Sequence, residues 1–193
     1  MLKKELRQKY LEKRKTLSED EVNFLSQKIL KNFILQFNLS ENQSIHVFMP
    51  IKKFNEIETN SLIEYFWKCK VNVFLPKIHE NKIISIKYTS ETILQENAWG
   101  ILEPVSIINE ENSFDYVITP LLYCDNNGNR VGYGKGFYDE FFRTINADAK
   151  KIGVNYFPPI DIIDDVSEND VKLDYLVTPD EILSFSDTSI FTK

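Results

Sequence analysis

The sequence predicts an α/β domain built on a mainly parallel sheet, and three observations carry that prediction. Short runs rich in β-branched and aromatic residues alternate with stretches of helical hydrophobic period. Several of those runs stop at a proline, at Pro50, Pro76, Pro120 and Pro179. A residue without an N–H cannot donate to the ladder there, so it marks a strand end. A glycine-rich segment follows one such run, where open α/β sheets place their binding loops.

The elements follow in order. Residues 3–16 read as a helix with Leu6, Tyr10 and Leu17 on one stripe and Lys3, Arg7 and Arg14 on a neighbouring one. Ser18 followed by Glu21 is a capping-box signature that starts a second helix, whose buried face is Val22, Leu25, Ile29, Phe33 and Phe37. S-I-H-V-F-M-P, from Ser44, is the first strand. A polar loop with Glu56 and Glu58 leads to Thr59, an N-cap candidate for a helix carrying Leu62, Ile63, Phe66 and Trp67. V-N-V-F-L-P, I-I-S-I-K-Y-T and residues 115–120, 151–156 and 174–179 supply the remaining strands. Phe137 and Tyr138 open a further helix. With no repeat, low-complexity tract or linker, one domain over 1–193 is expected.

Composition narrows the function. Hydrophobic residues at 42% and charged residues at 27% are those of an ordinary globular protein. No apolar run has signal-peptide or membrane-spanning length, so a soluble, cytoplasmic protein without a membrane partner is expected. Cys69 and Cys124 stand far apart without metal-ligand spacing and read as thiols. The net charge of −6 is asymmetric: residues 1–15 hold seven basic and two acidic residues, so that segment is +5 and the rest −11. A basic helix on an acidic body suits a small anionic ligand or its own domain better than nucleic acid, which needs basic charge over a whole face. No nucleic-acid partner is expected; a nucleic-acid arm is the weaker reading of this helix.

Residues 125–139, D-N-N-G-N-R-V-G-Y-G-K-G-F-Y-D, hold four of the six glycines and include Arg130 and Lys135. The bland reading is a flexible turn at 126–128 and an irregular entry to a helix. The functional reading is a phosphate site, because glycine lets backbone N–H groups approach an anion and a following helix adds its positive end. Neither the P-loop nor the dinucleotide spacing fits. Lys3 and Arg7, four residues apart, point the same way and suit two contacts to one polyphosphate. Glu56 is a candidate acceptor for hydrogen bonds from a polar heterocycle, although by itself N-E-I-E-T reads first as the approach to the Thr59 cap. Asp139 and Asp170 suit magnesium if the fold brings them together; otherwise Asp170 is a turn residue. His46, in a strand, and His79, in a loop, read as structural, with no Ser–His or Cys–His arrangement discernible.

In these residues the chain resembles the 5-formyltetrahydrofolate cyclo-ligase family. The resemblance runs in order through K-K-E-L-R, E-I-E-T, F-L-P, W-G-I-L-E-P, the central glycine motif, I-G-V, N-D-V-K-L-D and V-T-P. It implies a three-layer α/β/α sandwich of the sugar-phosphate isomerase and CoA-transferase type. It also implies magnesium- and ATP-dependent conversion of 5-formyltetrahydrofolate to 5,10-methenyltetrahydrofolate with release of ADP and phosphate, by a monomer. Carried onto matching positions, it places Lys3, Arg7 and the loop Arg130, Val131, Gly132, Tyr133, Gly134, Lys135, Gly136, Phe137 and Tyr138 on ATP. Lys135 and Arg130 would stabilise transferred charge. Met49, Glu56 and Tyr133 to Phe137 would border the folate, and Asp139 and Asp170 would serve Mg2+. Trp99 would either wall the folate pocket or pack in the core. Phe137 stands where relatives commonly carry tyrosine, and residues 51–55 form a longer loop than in some relatives. The alternative is a non-catalytic folate- or nucleotide-binding module using the same loop.

Overall fold

The computed structural model describes residues 1–108 and 110–185. Two helices open the chain, α1 (Lys3–Lys15) and α2 (Glu19–Phe37), and Ser18 and Glu21 form the expected capping box between them. Then come β1 (Ser44–His46), a 3-10 turn (Lys52–Phe54), α3 (Asn60–Lys68), β2 (Asn72–His79) and β3 (Lys82–Lys87). Short pieces follow: β4 (Leu94–Glu96), β5 (Leu102–Pro104) and β6 (Glu110–Glu111). The second half holds β7 (Tyr116–Thr119), β8 (Tyr123–Cys124), β9 (Arg130–Val131), α4 (Phe137–Thr144), β10 (Lys150–Val154), β11 (Tyr175–Val177) and β12 (Ile182–Ser184).

The main sheet has the order β12-β11-β10-β7-β1-β2-β3-β6. Its five central strands, β11 to β2, run parallel, with Ile152 opposite Ile118 and Ile45 opposite Val73. The flanking strands β12, β3 and β6 are antiparallel. The fold is the three-layer sandwich that the resemblance implied. Alternating residues divide between two faces, as the pleat requires. Val73, Leu75 and Ile118 join Ile29, Phe33, Leu62 and Phe66 of α2 and α3 in one core. Phe74 and Val117 join Phe141 and Phe142 of α4 in the other. Among the described residues no helix is long and apolar enough to cross a membrane.

Three expectations are corrected. Pro76 lies inside β2, opposite Ser85 of β3. β1 pairs with β2 only as far as Phe74, so beyond that point the side of β2 towards β1 carries no ladder that a missing N–H would interrupt. Thr59 does not cap α3 with its side chain; its buried hydroxyl donates to the Phe48 carbonyl at 2.7 Å and fastens the helix start to the end of the first strand. His46 does have a serine partner: its Nδ1 lies 2.7 Å from Ser85 Oγ. Both side chains are wholly buried, and burial alone pushes His46 down to about 3, so the pair is neutral and closed to substrate. Both cysteines are free thiols.

Candidate active site

The chain leaves β1 towards β2 on one side, while β7, on the other side of β1, continues to β10. Strand order therefore reverses between β1 and β7, and open α/β sheets bind their ligands beyond the carboxyl ends of strands at such a point. The loop after β1 carries Met49, Phe54 and Glu56. The chain after β7 forms the β8–β9 hairpin and then residues 132–136. Sequence neighbours of neither kind would have joined these loops; the switch point does.

The glycine-rich segment has two unlike halves. In the first, Asp125 is buried, its Oδ1 accepting from the Asn127 and Asn129 N–H groups and its Oδ2 from the Asn129 amide, all at 2.9 Å. This turn is a fixed one, unlike the flexible connection of the bland reading. In the second half, residues 134–136 are exposed. Gly134 has φ +92° and Gly136, the N-cap of α4, has φ +71°, a left-handed backbone that costs an L-residue about 1–2 kcal/mol. Nothing lies within 4 Å of the space that a side chain at Gly132 or Gly136 would fill. An anion therefore has open access to the loop backbone and to the first N–H groups of α4, which lack helical partners.

Cations surround this opening unequally. Lys135 is exposed and has no hydrogen-bond or ion-pair partner among the described residues. Arg7 donates from Nε to the Gly132 carbonyl at 2.9 Å, and its guanidinium would stand 3.2 Å from a Cβ at Gly134. Lys3 pairs with Asp170. Arg130 is buried: it donates to the Val171 carbonyl, bonds Asp139 Oδ1 at 2.7 Å and lies 4.9 Å from the Phe142 ring centre. It clamps β9, α4 and the chain at 171 together from behind the loop.

Asp139 and Asp170 do come to one place, since both act on the Arg130 charge. Burial raises the Asp170 carboxyl, but Lys3 and the Ser167 N–H more than offset this, and the net shift is downward. Asp139 uses Oδ1 for Arg130 and the Val171 N–H, and Asp170 uses Oδ2 for Lys3 and the Ser167 N–H. One oxygen of each carboxylate thus has no partner among the described residues. No group of three or more ligating side chains occurs among them. Two carboxylates with one spare oxygen each fit a magnesium ion whose remaining positions are phosphate oxygens and water.

The facing wall is built around Glu56. Its Oε2 accepts from the Ile51 N–H at 2.8 Å and its Oε1 from the Tyr133 hydroxyl at 2.6 Å, so the two loops meet in one hydrogen bond. The Tyr133 ring stacks on Phe54 at 5.3 Å. Met49 is packed into the main core. Phe137 faces the half-exposed Trp99, ring centres 6.2 Å apart, so Trp99 is not a core residue. Tyr138 sits against His46, its hydroxyl 3.2 Å from Nε2. Arg14, placed by sequence on the stripe of Lys3 and Arg7, is instead 1% exposed beneath this wall. Its spacing of four from Tyr10, itself four from Leu6, was the available signal.

An open glycine loop and a buried hydrogen-bond acceptor thus meet at the switch point of an α/β/α sandwich, where folds of this class place their ligand sites. Residues 1–179 match the model of the 5-formyltetrahydrofolate cyclo-ligase family, and the chain belongs to that family, whose members are ligases of folate one-carbon metabolism. It is 31% identical over 130 residues to the 5-formyltetrahydrofolate cyclo-ligase of Haemophilus influenzae, a match spanning 64% of this chain and 62% of that one. A probable 5-formyltetrahydrofolate cyclo-ligase of Schizosaccharomyces pombe is 30% identical over 74% of this chain and 77% of its own length. The NMR structure of Aquifex aeolicus 5,10-methenyltetrahydrofolate synthetase superposes with a TM-score of 0.77 at 31% identity, covering 100% of this chain and 97% of that one. The Mycoplasma pneumoniae synthetase gives 0.71 at 26% identity, over 93% and 99%.

Proposed function

We propose that this chain, as a single cytoplasmic domain, cyclises 5-formyltetrahydrofolate to 5,10-methenyltetrahydrofolate at the expense of ATP. The observation that carries the reading is Lys135, an exposed cation without a partner among the described residues, in a loop whose backbone is open at Gly132 and Gly136. In this reaction the formyl oxygen attacks the γ-phosphorus and ADP leaves. The 10-nitrogen then attacks the formyl carbon and gives up its proton to solvent, and the oxygen departs with phosphate. Little acid or base is needed from the protein; positioning and neutralisation of moving phosphate charge are.

The loop N–H groups at 132–138, with Lys3 and Arg7, hold the triphosphate. Lys135 follows the charge that develops on the transferred group. Arg130 supports from behind: its bonds to Asp139 and Val171 fix the loop exit and α4. Asp139 and Asp170 would hold Mg2+, which would supply neutralisation of phosphate charge there. Glu56 receives ring N–H groups of the pterin, with Tyr133 and Phe137 as the apolar border, while Met49, packed in the core, supports the Glu56 loop from beneath. The protein works as a monomer.

The test is the near-ultraviolet absorbance of the methenyl product from 5-formyltetrahydrofolate, with and without MgATP. Product that requires ATP supports the reading. Folate binding without product would point to a non-catalytic binding module instead.

A further inference from the structure

The wall that carries Glu56 contains a charge that folate recognition has not yet used. Arg14, in the last turn of α1, is 1% exposed. A guanidinium in that position needs an opposite charge or a full set of acceptors, since an isolated buried ion costs several kcal/mol. It has neither in the ordinary form. One Nη donates to the Leu121 carbonyl at 2.6 Å, and among the described residues Nε has no acceptor and no carboxylate lies within ion-pair distance. The cation instead lies against the Tyr133 hydroxyl and 5.6 Å from the Tyr156 ring. The Tyr133 hydroxyl in turn donates to Glu56. A buried guanidinium and a buried carboxyl are thus joined through one phenol.

We propose that Arg14 is a positioning residue for folate: acting through Tyr133, it holds Glu56 as an aimed carboxylate without itself touching substrate. The proposal rests on the assignment of Glu56 to the pterin. A carboxylate has about four acceptor sites. Ile51 and Tyr133 fill two, and the others remain for ring N–H donors. A protonated Glu56 would turn one acceptor into a donor and lose that match. Burial pushes Glu56 upward and sets the net direction; the Tyr133 hydrogen bond, the Ile51 N–H and, last, the Arg14 charge limit that rise, so losing the cation lets it go further.

The other groups nearby do not replace Arg14. Tyr138 of α4 and Tyr156 after β10 are phenols that burial pushes upwards, so both stay neutral. Ser26 of α2 is uncharged and bonded to Tyr156 and to the Glu58 N–H. Glu58 adds negative charge, which favours protonation. Lys53, in the same loop as Glu56, points to the Trp99 carbonyl. Only Arg14 supplies a buried positive charge behind Glu56 among the described residues.

Equilibrium binding of 5-formyltetrahydrofolate, without ATP, is measured from pH 5 to 9 for wild type, Arg14→Met, Arg14→Lys, Arg14→Gln and Tyr133→Phe, with the KM for ATP taken separately. Affinity falls as pH drops through the pKa of Glu56. Removing the cation moves that loss to higher pH by about one unit, the smaller end of the effect of an opposite charge at close range. Arg14→Lys keeps the wild-type midpoint, and the KM for ATP stays within about twofold in both, whereas a merely structural fault would weaken both ligands alike. A folded Arg14→Met with the wild-type midpoint overturns the proposal. Should Arg14→Met fail to fold, Arg14→Gln decides: it removes the charge and keeps planar N–H donors, so a midpoint moved upward supports the proposal and an unmoved one overturns it; an unmoved midpoint in Tyr133→Phe, which removes the bridging hydroxyl, overturns it as well. Wild type that binds folate but makes no product would contradict the proposed activity alone; no folate binding at all would contradict the Glu56 assignment and this proposal with it.

Discussion

Arg130 and Lys135 lie five residues apart in one glycine-rich segment, yet the fold treats them oppositely. The Arg130 side chain is 7% exposed and committed to Asp139, Val171 and the Phe142 face. Lys135 is exposed, flanked by glycines and uncommitted among the described residues. One cation builds the loop and the other is left for ligand. A cation that holds structure has its partners in place before substrate arrives, so its loss is felt in stability. A cation that answers charge developing in the reaction has no such partner, so its loss is felt in rate.

Mutation separates the two. Lys135→Ala should lower kcat by at least about 10²-fold while moving Tm by less than about a degree, because an exposed, unpaired side chain contributes little to folding. Turnover at fixed, saturating folate with a thermal melt checks both. Chelation of divalent cations with EDTA should abolish turnover, and added Mg2+ should restore it, while the fold persists; circular dichroism alongside the assay reads this. Arg130→Met should cost roughly 3 kcal/mol of stability, at the low end for breaking a buried pair because Asp139 keeps 27% of its surface. Urea unfolding measures it. Gly134→Ala should cost about 1 kcal/mol for the left-handed backbone and raise the KM for ATP several-fold by pressing on Arg7. Lys70→Ala, which removes an exposed pair with Glu41, should change stability by under about 0.5 kcal/mol and leave activity alone.

The contrast between the two cations was not legible in the sequence, where both stood for phosphate contacts. The segments that could be read were those with local signals: α1, the Ser18–Glu21 box, α2, the parallel strands and the start of α4 at Phe137. What escaped depends on partners distant in sequence. The β8 and β9 strands have two residues each, too few for any periodicity, and the turn between them is fixed by the Asp125 side chain. Thr59 looked like a side-chain cap because a threonine directly precedes the helical run, but its hydroxyl donates to the Phe48 carbonyl instead. Tyr133 meets Glu56 across 77 positions, and Arg14 passes beneath both only because α1 packs on the β8–β9 hairpin. The candidate site is therefore a list of residue types in the sequence, and its division into scaffold and working groups is a product of the fold.

Turnover and Tm of Lys135→Ala and Arg130→Met, measured side by side with wild type under saturating MgATP and 5-formyltetrahydrofolate, test that division most directly. The account predicts that Lys135→Ala loses turnover at wild-type Tm, and that Arg130→Met loses Tm while its folded fraction keeps most of its turnover. A Lys135→Ala protein with wild-type turnover would contradict it, as would an Arg130→Met protein of wild-type Tm with turnover abolished.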